Sequence, residues 1–217
     1  MRAEQLDDGV RTVLPRGRHA LSRAQVTASQ RARLLRAMTD EVAERGFAAT
    51  TAAGVYQRAG VSSRAFYESF TDVTDCFLAA YEHSVRVVTQ TAFRVVDSSE
   101  PPARRDPLAQ FTSMLDTYLW LIANEPNMAR TFLIEVYGAG AVALERRLQV
   151  HEQFVEGVQR VLAPGRRLDA SDRFAVESLV DAITFCVTRS IAAGELGDLT
   201  SLRDDLLGVA RRLCPWL

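Results

Sequence analysis

The sequence predicts an all-α protein in two parts, a small N-terminal helix-turn-helix domain and a larger helical body. Three observations predict it. Apolar residues recur at helical spacing from about Ser29 almost to the end of the chain. No segment alternates with period two for long enough to make a strand. Helix-start residues, glycines and prolines punctuate the pattern at plausible helix lengths. With 217 residues and 47% hydrophobic content, the chain can bury one large core or two small ones.

The elements follow in order. Residues 1–28 lack sustained periodicity, and "LPRGRH" (Leu14 to His19) places a proline and a glycine beside Arg16 and Arg18, so this segment is expected to be a flexible basic arm. Leu34, Leu35, Met38 and Val42 form one face of a first helix that Gly46 stops, with Phe47 folding back on it. Thr50 and Thr51 signal the start of a short second helix running to about Ala59, and Gly60 makes a turn. Ser62 is a good N-cap for a third short helix ending near Phe70. Asp72 can cap a long fourth helix reaching about Val96, and the prolines of "SSEPPARRD" break the chain there.

Further helices are expected over Pro107–Asn124, from Pro126, over Ala141–Ala163, from Ala170 to about Gly194, and from about Leu199 to Leu213. The first of these, with Phe111, Leu115, Tyr118 and Ile122 widened by Leu119, Trp120 and Leu121, is apolar nearly all round. The resulting domain plan is an arm (1–28), a helix-turn-helix domain (29–76) and a body (77–217).

Charge divides along the same line. All 26 basic residues are arginine, and the net charge of −1 splits into +4 up to Phe70 and −5 beyond it. A basic head on an acidic body fits an end that binds nucleic acid joined to a part that does not. Cys76, Cys186 and Cys214 are far apart, with no CxxC, and the three histidines are scattered, so neither a disulfide frame nor a metal site is expected. The N-terminus shows no signal-peptide core, and the run "YLWLIA" is far too short to cross a bilayer. A soluble cytoplasmic protein without a membrane segment is expected.

The stretch "AGVSSRAFYESF" (Ala59 to Phe70) carries the chemistry. On a helical wheel Phe66 and Phe70 form an inward row, while Ser63 with Tyr67 and Arg64 with Glu68 form rows that point away. Two short helices around a glycine turn suit a helix-turn-helix, whose second helix enters the DNA major groove by its N-terminal residues. The amides at Ser62 can receive a phosphate, Arg64 can fork onto guanine, Ser63 and Glu68 can bond base edges, and Tyr67 can reach a phosphate oxygen.

The whole stretch Arg31 to Tyr81 strongly resembles the N-terminal domain of the TetR family of bacterial transcriptional regulators. The matching residues are Gly46-Phe47, Thr50-Thr51, Val55, Ala59-Gly60-Val61-Ser62, Tyr67 and Phe70. Three positions depart from the pattern: Val73 stands where the family usually has a phosphate-contacting lysine, Gly54 replaces a polar residue, and Tyr56 an alanine. Gly54 is expected to weaken the second helix by roughly 1 kcal/mol relative to alanine. Thr74, or Arg16 and Arg18 of the arm, could supply the phosphate grip that Val73 cannot. The residues expected at DNA are thus Thr50, Thr51, Ser62, Ser63, Arg64, Tyr67 and Thr74, with Arg16 and Arg18.

The resemblance further implies a body that binds a small-molecule effector and dimerises. The helix from Ala170 carries Val176, Val180, Ile183, Val187 and Ile191 on one side and Leu179, Ala182, Cys186 and Ala193 on a neighbouring one, more apolar surface than one partner needs. With Leu199, Leu202, Leu206, Val209 and Leu213 of the last helix it would make a four-helix homodimer seam over about 170–194 and 199–213. Tyr118, Phe132, Tyr137, Phe154 and Phe185 are candidates for lining a ligand site, with His151 as a polar handle.

The expected function is a ligand-responsive repressor that binds a near-palindromic double-stranded operator as a dimer and is released by a small molecule. The alternative is an all-α small-molecule-binding protein or enzyme whose helix-turn-helix is vestigial. "YGAGAVA" (Tyr137 to Ala143) matches a dinucleotide fingerprint, but the residues before it are spaced as a helix and no βαβ unit can be drawn. No catalytic grouping stands out, and no cofactor is implied.

Overall fold

The computed structural model describes residues 22–94, 106–195, 197, 199 and 201–217, and no strand occurs among them. Nine α-helices order these described residues: α1 (Arg23–Arg45), α2 (Ala52–Arg58), α3 (Ser63–Ser69), α4 (Val73–Arg94), α5 (Pro107–Asn124), α6 (Pro126–Leu133), α7 (Ala141–Leu162), α8 (Ala170–Ala193) and α9 (Leu202–Leu213). Two compact units divide the chain between Ala80 and Tyr81. The boundary falls inside α4, which gives its first eight residues to one unit and the rest to the other.

Helix starts follow side-chain chemistry. Asp106 and Asp169 each accept a hydrogen bond from an amide of the helix they precede, at 2.9 Å and 2.8 Å, and Pro107 and Pro126 occupy first turns where their missing N–H costs nothing. Gly194 ends α8 in the left-handed conformation. At α4, Asp72 accepts from the Asp75 amide at 2.8 Å while Asp75 accepts from the Thr71 amide at 2.9 Å. That is a capping box displaced by one residue.

The start furthest from expectation is that of α1, while α9 begins three residues after the expected Leu199. α1 begins at Arg23, six residues before the periodicity does. Ser22 accepts from the Gln25 amide at 3.2 Å, and Gln25 accepts from the Ser22 amide at 2.8 Å. This capping box holds a polar first turn and a half that carries no apolar stripe to read. The last six residues of the expected arm are therefore helical and Ser22 caps them, while residues 1–21, Arg16 and Arg18 included, lie outside the described residues.

In the first unit α1, α2 and α3 pack around fully buried Leu34, Met38, Val42, Val55 and Phe66. Phe47 turns away from α1 in a short 3-10 segment and meets Phe77 of α4 edge-on, ring centres 5.0 Å apart. Arginines outside the apolar face of α1 tie the unit together. Arg33 donates to the Ala59 and Gly60 carbonyls at 3.0 and 3.2 Å, closing the end of α2. Arg31 donates to the Ser69 carbonyl at 3.0 Å and stacks over Phe70 at 4.3 Å, closing α3. Buried Glu41 receives Arg58 at 2.9 Å and Arg45 at 3.0 Å, and Arg58 also pairs with Glu44.

Gly54 faces that buried carboxylate. A Cβ at this position would sit 2.6 Å from Glu41 Oε1. The glycine expected to be a weakness of α2 is thus the point where α2 comes close enough to α1 for Arg58 to reach Glu41. Tyr56 has a comparable reason, since its ring meets Phe66 edge-on at 6.4 Å.

The second unit packs α5, α6, α7, α8 and α9 around Phe111, Leu115, Leu119, Val176, Leu179, Val187 and Leu206. α5 is not apolar nearly all round in effect: Trp120 is half exposed, because Leu119 and Leu121 on either side take the buried directions. The fingerprint-like Gly138–Ala143 joins a 3-10 turn to α7, with α6 ahead of it, so it lacks the preceding strand that a dinucleotide site requires.

Candidate nucleic-acid interface and ligand cavity

The outer face of α3 is built by its inner one. Ala65, Phe66 and Phe70 are buried, and the turn before α3 is set by Gly60 at φ 62° and by the Val61 amide bonding to the Tyr56 carbonyl at 3.0 Å. Ser62 caps α3 by accepting from the Ala65 amide at 3.2 Å. What remains outside is Ser63, Arg64, Tyr67 and Glu68, all exposed. Tyr67 lies edge-on to Phe66 at 5.2 Å, which braces its base while the side chain projects. Arg64 Nε donates to Glu68 Oε1 at 2.8 Å. The pair raises the Arg64 pKa, and it leaves both terminal nitrogens of the guanidinium to fork onto a base edge.

Other expected DNA residues sort by exposure. Thr51 is exposed and caps α2, accepting from the Gly54 amide at 3.1 Å. Thr74, the second residue of α4, is half-buried beside Val73. Thr50, by contrast, is buried, and its hydroxyl donates to the Gly46 carbonyl at 2.9 Å. Its hydroxyl thereby ties down the link between α1 and α2.

Among the described residues, most arginines of this unit have a partner. Of the described arginines up to Phe70, Arg31 and Arg33 hold carbonyls, and Arg36, Arg45, Arg58 and Arg64 face Asp40, Glu41, Glu44 and Glu68, leaving Arg23.

A separate cavity of about 100 Å³ lies in the second unit. Its walls come from α4, α5, α6, α7 and α8, and it includes four of the expected ligand residues, Tyr118, Phe132, His151 and Phe154. Tyr137 and Phe185 stand outside it, 60% and 69% exposed. Tyr137 is exposed within the 3-10 turn, and Phe185 is on the outer face of α8. Residues not anticipated there include Tyr81, Ser84, Thr184 and Arg147.

A sequence signal for Arg147 does exist. It sits on the stripe Ala143, Arg147, Val150, Phe154 and Val158, an arginine among apolar residues at helical spacing. It is buried, and Tyr81 shares a hydrogen bond with it. Burial pushes the Tyr81 and Tyr118 hydroxyls up to about 12, opposed in each case by the Arg147 charge. Both are therefore neutral donors at physiological pH. His151 Nε2 lies 2.8 Å from Asp181 Oδ1, close enough for an ion pair but off the line of a hydrogen bond.

The comparisons with known proteins bear on the first unit most directly. Residues 34–80 match the model of the bacterial regulatory proteins, tetR family. This segment belongs to the tetR family. The tetR-type segment contains the second half of α1, all of α2, the turn and α3, and the first eight residues of α4.

Solved structures resemble the chain beyond that segment, at identities that speak to fold alone. The fatty acid degradation regulator FadR from Bacillus halodurans is 15% identical, with a TM-score of 0.69 over 82% of this chain and 95% of that one. FadR from Bacillus subtilis, solved with stearoyl-CoA, is 14% identical, with a TM-score of 0.68 over 85% of this chain and 98% of that one. A TetR-family transcriptional regulator from Streptomyces coelicolor is 20% identical, with a TM-score of 0.63 over 86% and 98%. The curated proteins give no match. The all-α fold shared with these structures thus extends over both units.

Proposed function

We propose that this chain is a ligand-responsive transcriptional regulator, a repressor that binds its operator as a homodimer in the cytoplasm and is not an enzyme. The observation that carries the reading is the sorting of α3 within the tetR-type segment: Ala65, Phe66 and Phe70 go inward, while Ser63, Arg64 and Tyr67 project together from a capped helix start. In the complex, Arg64 would fork onto a base edge with Glu68 steering it, Ser63 would bond a neighbouring edge, and Tyr67 with the amides at Thr51 and Ser62 would hold phosphates.

A dimer is supported by α8, whose exposed face carries Phe174 and Phe185, each 69% exposed, with half-buried Ala182 and Cys186 between and beside them. Two large aromatics on one outward stripe are expected of a surface that another copy covers. The effector would enter the cavity of the second unit. α4 supplies cavity residues from Tyr81 onward and core residues Cys76 and Phe77 to the first unit, so one helix runs through both units. Release from DNA requires the effector to bind the non-binding state more tightly than the binding one.

Binding to a fluorescent duplex from the region upstream of the protein's own gene tests this reading. We expect salt-sensitive, sequence-selective binding that Arg64→Ala weakens by about 1–3 kcal/mol at unchanged fold. Equal affinity for that duplex and a scrambled one would sink the operator reading and leave a ligand-binding protein with an idle helix-turn-helix.

A further inference from the structure

The cavity has two unlike ends. Tyr81 meets Arg147 at one, and Phe93 meets Phe154 at the other, ring centres 6.2 Å apart, so α4 and α7 run side by side in the same direction along it. Between Tyr81 and Phe93 lie twelve residues of α4, about 18 Å of helix. The first end gathers Tyr81, Ser84, Tyr118 and Arg147, with His151 one turn further on; the second is Val88, Ala92, Phe93, Phe154 and Val158.

Arg147 is the anomaly. It is 8% exposed, its Nε has no hydrogen-bond partner, and no carboxylate pairs with it among the described residues. Nearby acids are engaged elsewhere: Glu82 lies 3.2 Å from Arg146, and Asp181 faces His151. No aspartate or glutamate lines the cavity among the described residues. A guanidinium buried without a counter-charge is costly, whereas one that acquires an anion in a dry site makes strong, directional bonds. The neighbouring tyrosine hydroxyls add neutral donors beside it.

We propose that the effector is an amphipathic monocarboxylate, its carboxylate on Arg147, Tyr81 and Tyr118 and its apolar chain directed toward Phe93, Phe154 and Val158. This rests on the cavity being the effector site. The far end is closed by a specific fit: a Cβ on buried Gly157 would collide with the Phe93 ring, so Gly157 fixes where that ring lies and how long a chain the cavity takes.

The test uses the full chain and calorimetric titration with the n-alkanoates from butanoate to decanoate, n-decanol and decanoyl-CoA. Decanoate should bind with saturation and at least about tenfold more tightly than decanol. Arg147→Met should weaken decanoate about 30-fold or more while leaving decanol within a few-fold. Gly157→Ala should shift the preferred carboxylate to a shorter chain, a readout that stands even where the Arg147 variant does not fold. Equal binding of acid and alcohol by the unmodified chain, unchanged decanoate affinity in Arg147→Met, or a thioester that binds as well as the free acid would each overturn the proposal. Because these are direct binding measurements, they stand or fall apart from the DNA assay: decanoate that binds without releasing DNA would support this ligand class and count against ligand-controlled repression.

Discussion

At residue scale, Gly54 shows how a local rule is overruled by a contact far away in sequence. Alanine is the better helix former by roughly 1 kcal/mol, yet its methyl would press on the Glu41 carboxylate that Arg45 and Arg58 hold. Gly54→Ala is expected to destabilise the first unit by about 1–3 kcal/mol, the usual range for overpacking, read as a lower thermal midpoint. Glu44 adds a pH dependence. The hydrogen bond from Arg58 holds its carboxyl below the usual 4.5. Its contribution is complete above that value and is lost as pH falls through the lower folded one, so Glu44→Gln should flatten part of the acid unfolding limb. The thiols differ sharply: burial pushes Cys76 up to about 12 and Cys214 to about 11, while Cys186 is half-buried on α8. A maleimide at neutral pH should label Cys186 first in the folded protein and the other two only on unfolding.

At the scale of elements, most of the helices are legible before any coordinates, and the reasons for the exceptions are physical. Pro107, Pro126 and Asp169 start helices and Gly194 ends one through local chemistry that any fold must respect, so α5, α6 and α8 fall where expected. The start of α1 is hidden because a polar capping box leaves no stripe. The inward Phe66 and Phe70 and the outward Arg64 and Tyr67 follow from spacing alone. Thr50 does not: the Thr pair reads as one signal, and only the path of the chain from Gly46 decides that one hydroxyl turns inward. In the cavity, spacing offers Arg147, but aromatic size points equally to Tyr137 and Phe185, and nothing local separates an inward aromatic from an outward one. The Ser62 cap belongs to this scale as well. Ser62→Ala should cost about 1 kcal/mol of stability and weaken DNA binding beyond that through the loosened start of α3, measurable by thermal melts alongside duplex titration.

For the whole molecule, the question is which surfaces become buried when two copies meet. If α8 is the seam, Phe185→Asp should convert dimer to monomer in sedimentation and abolish operator binding while the cavity still takes its ligand. Labelling at Cys186 should in turn slow as protein concentration rises, because the partner helix would cover it. A Phe185→Asp protein that remains dimeric would place the interface elsewhere.

Glu41, Gly54 and Arg58 also constrain how this sequence can drift. Since the carboxylate fills the space a side chain at 54 would need, the three positions form one inherited unit: descendants should change them together or keep all three. Among relatives of this chain, a residue larger than glycine at 54 should coincide with a shorter or uncharged one at 41, a pairing that alignment of such sequences can count without a single new measurement.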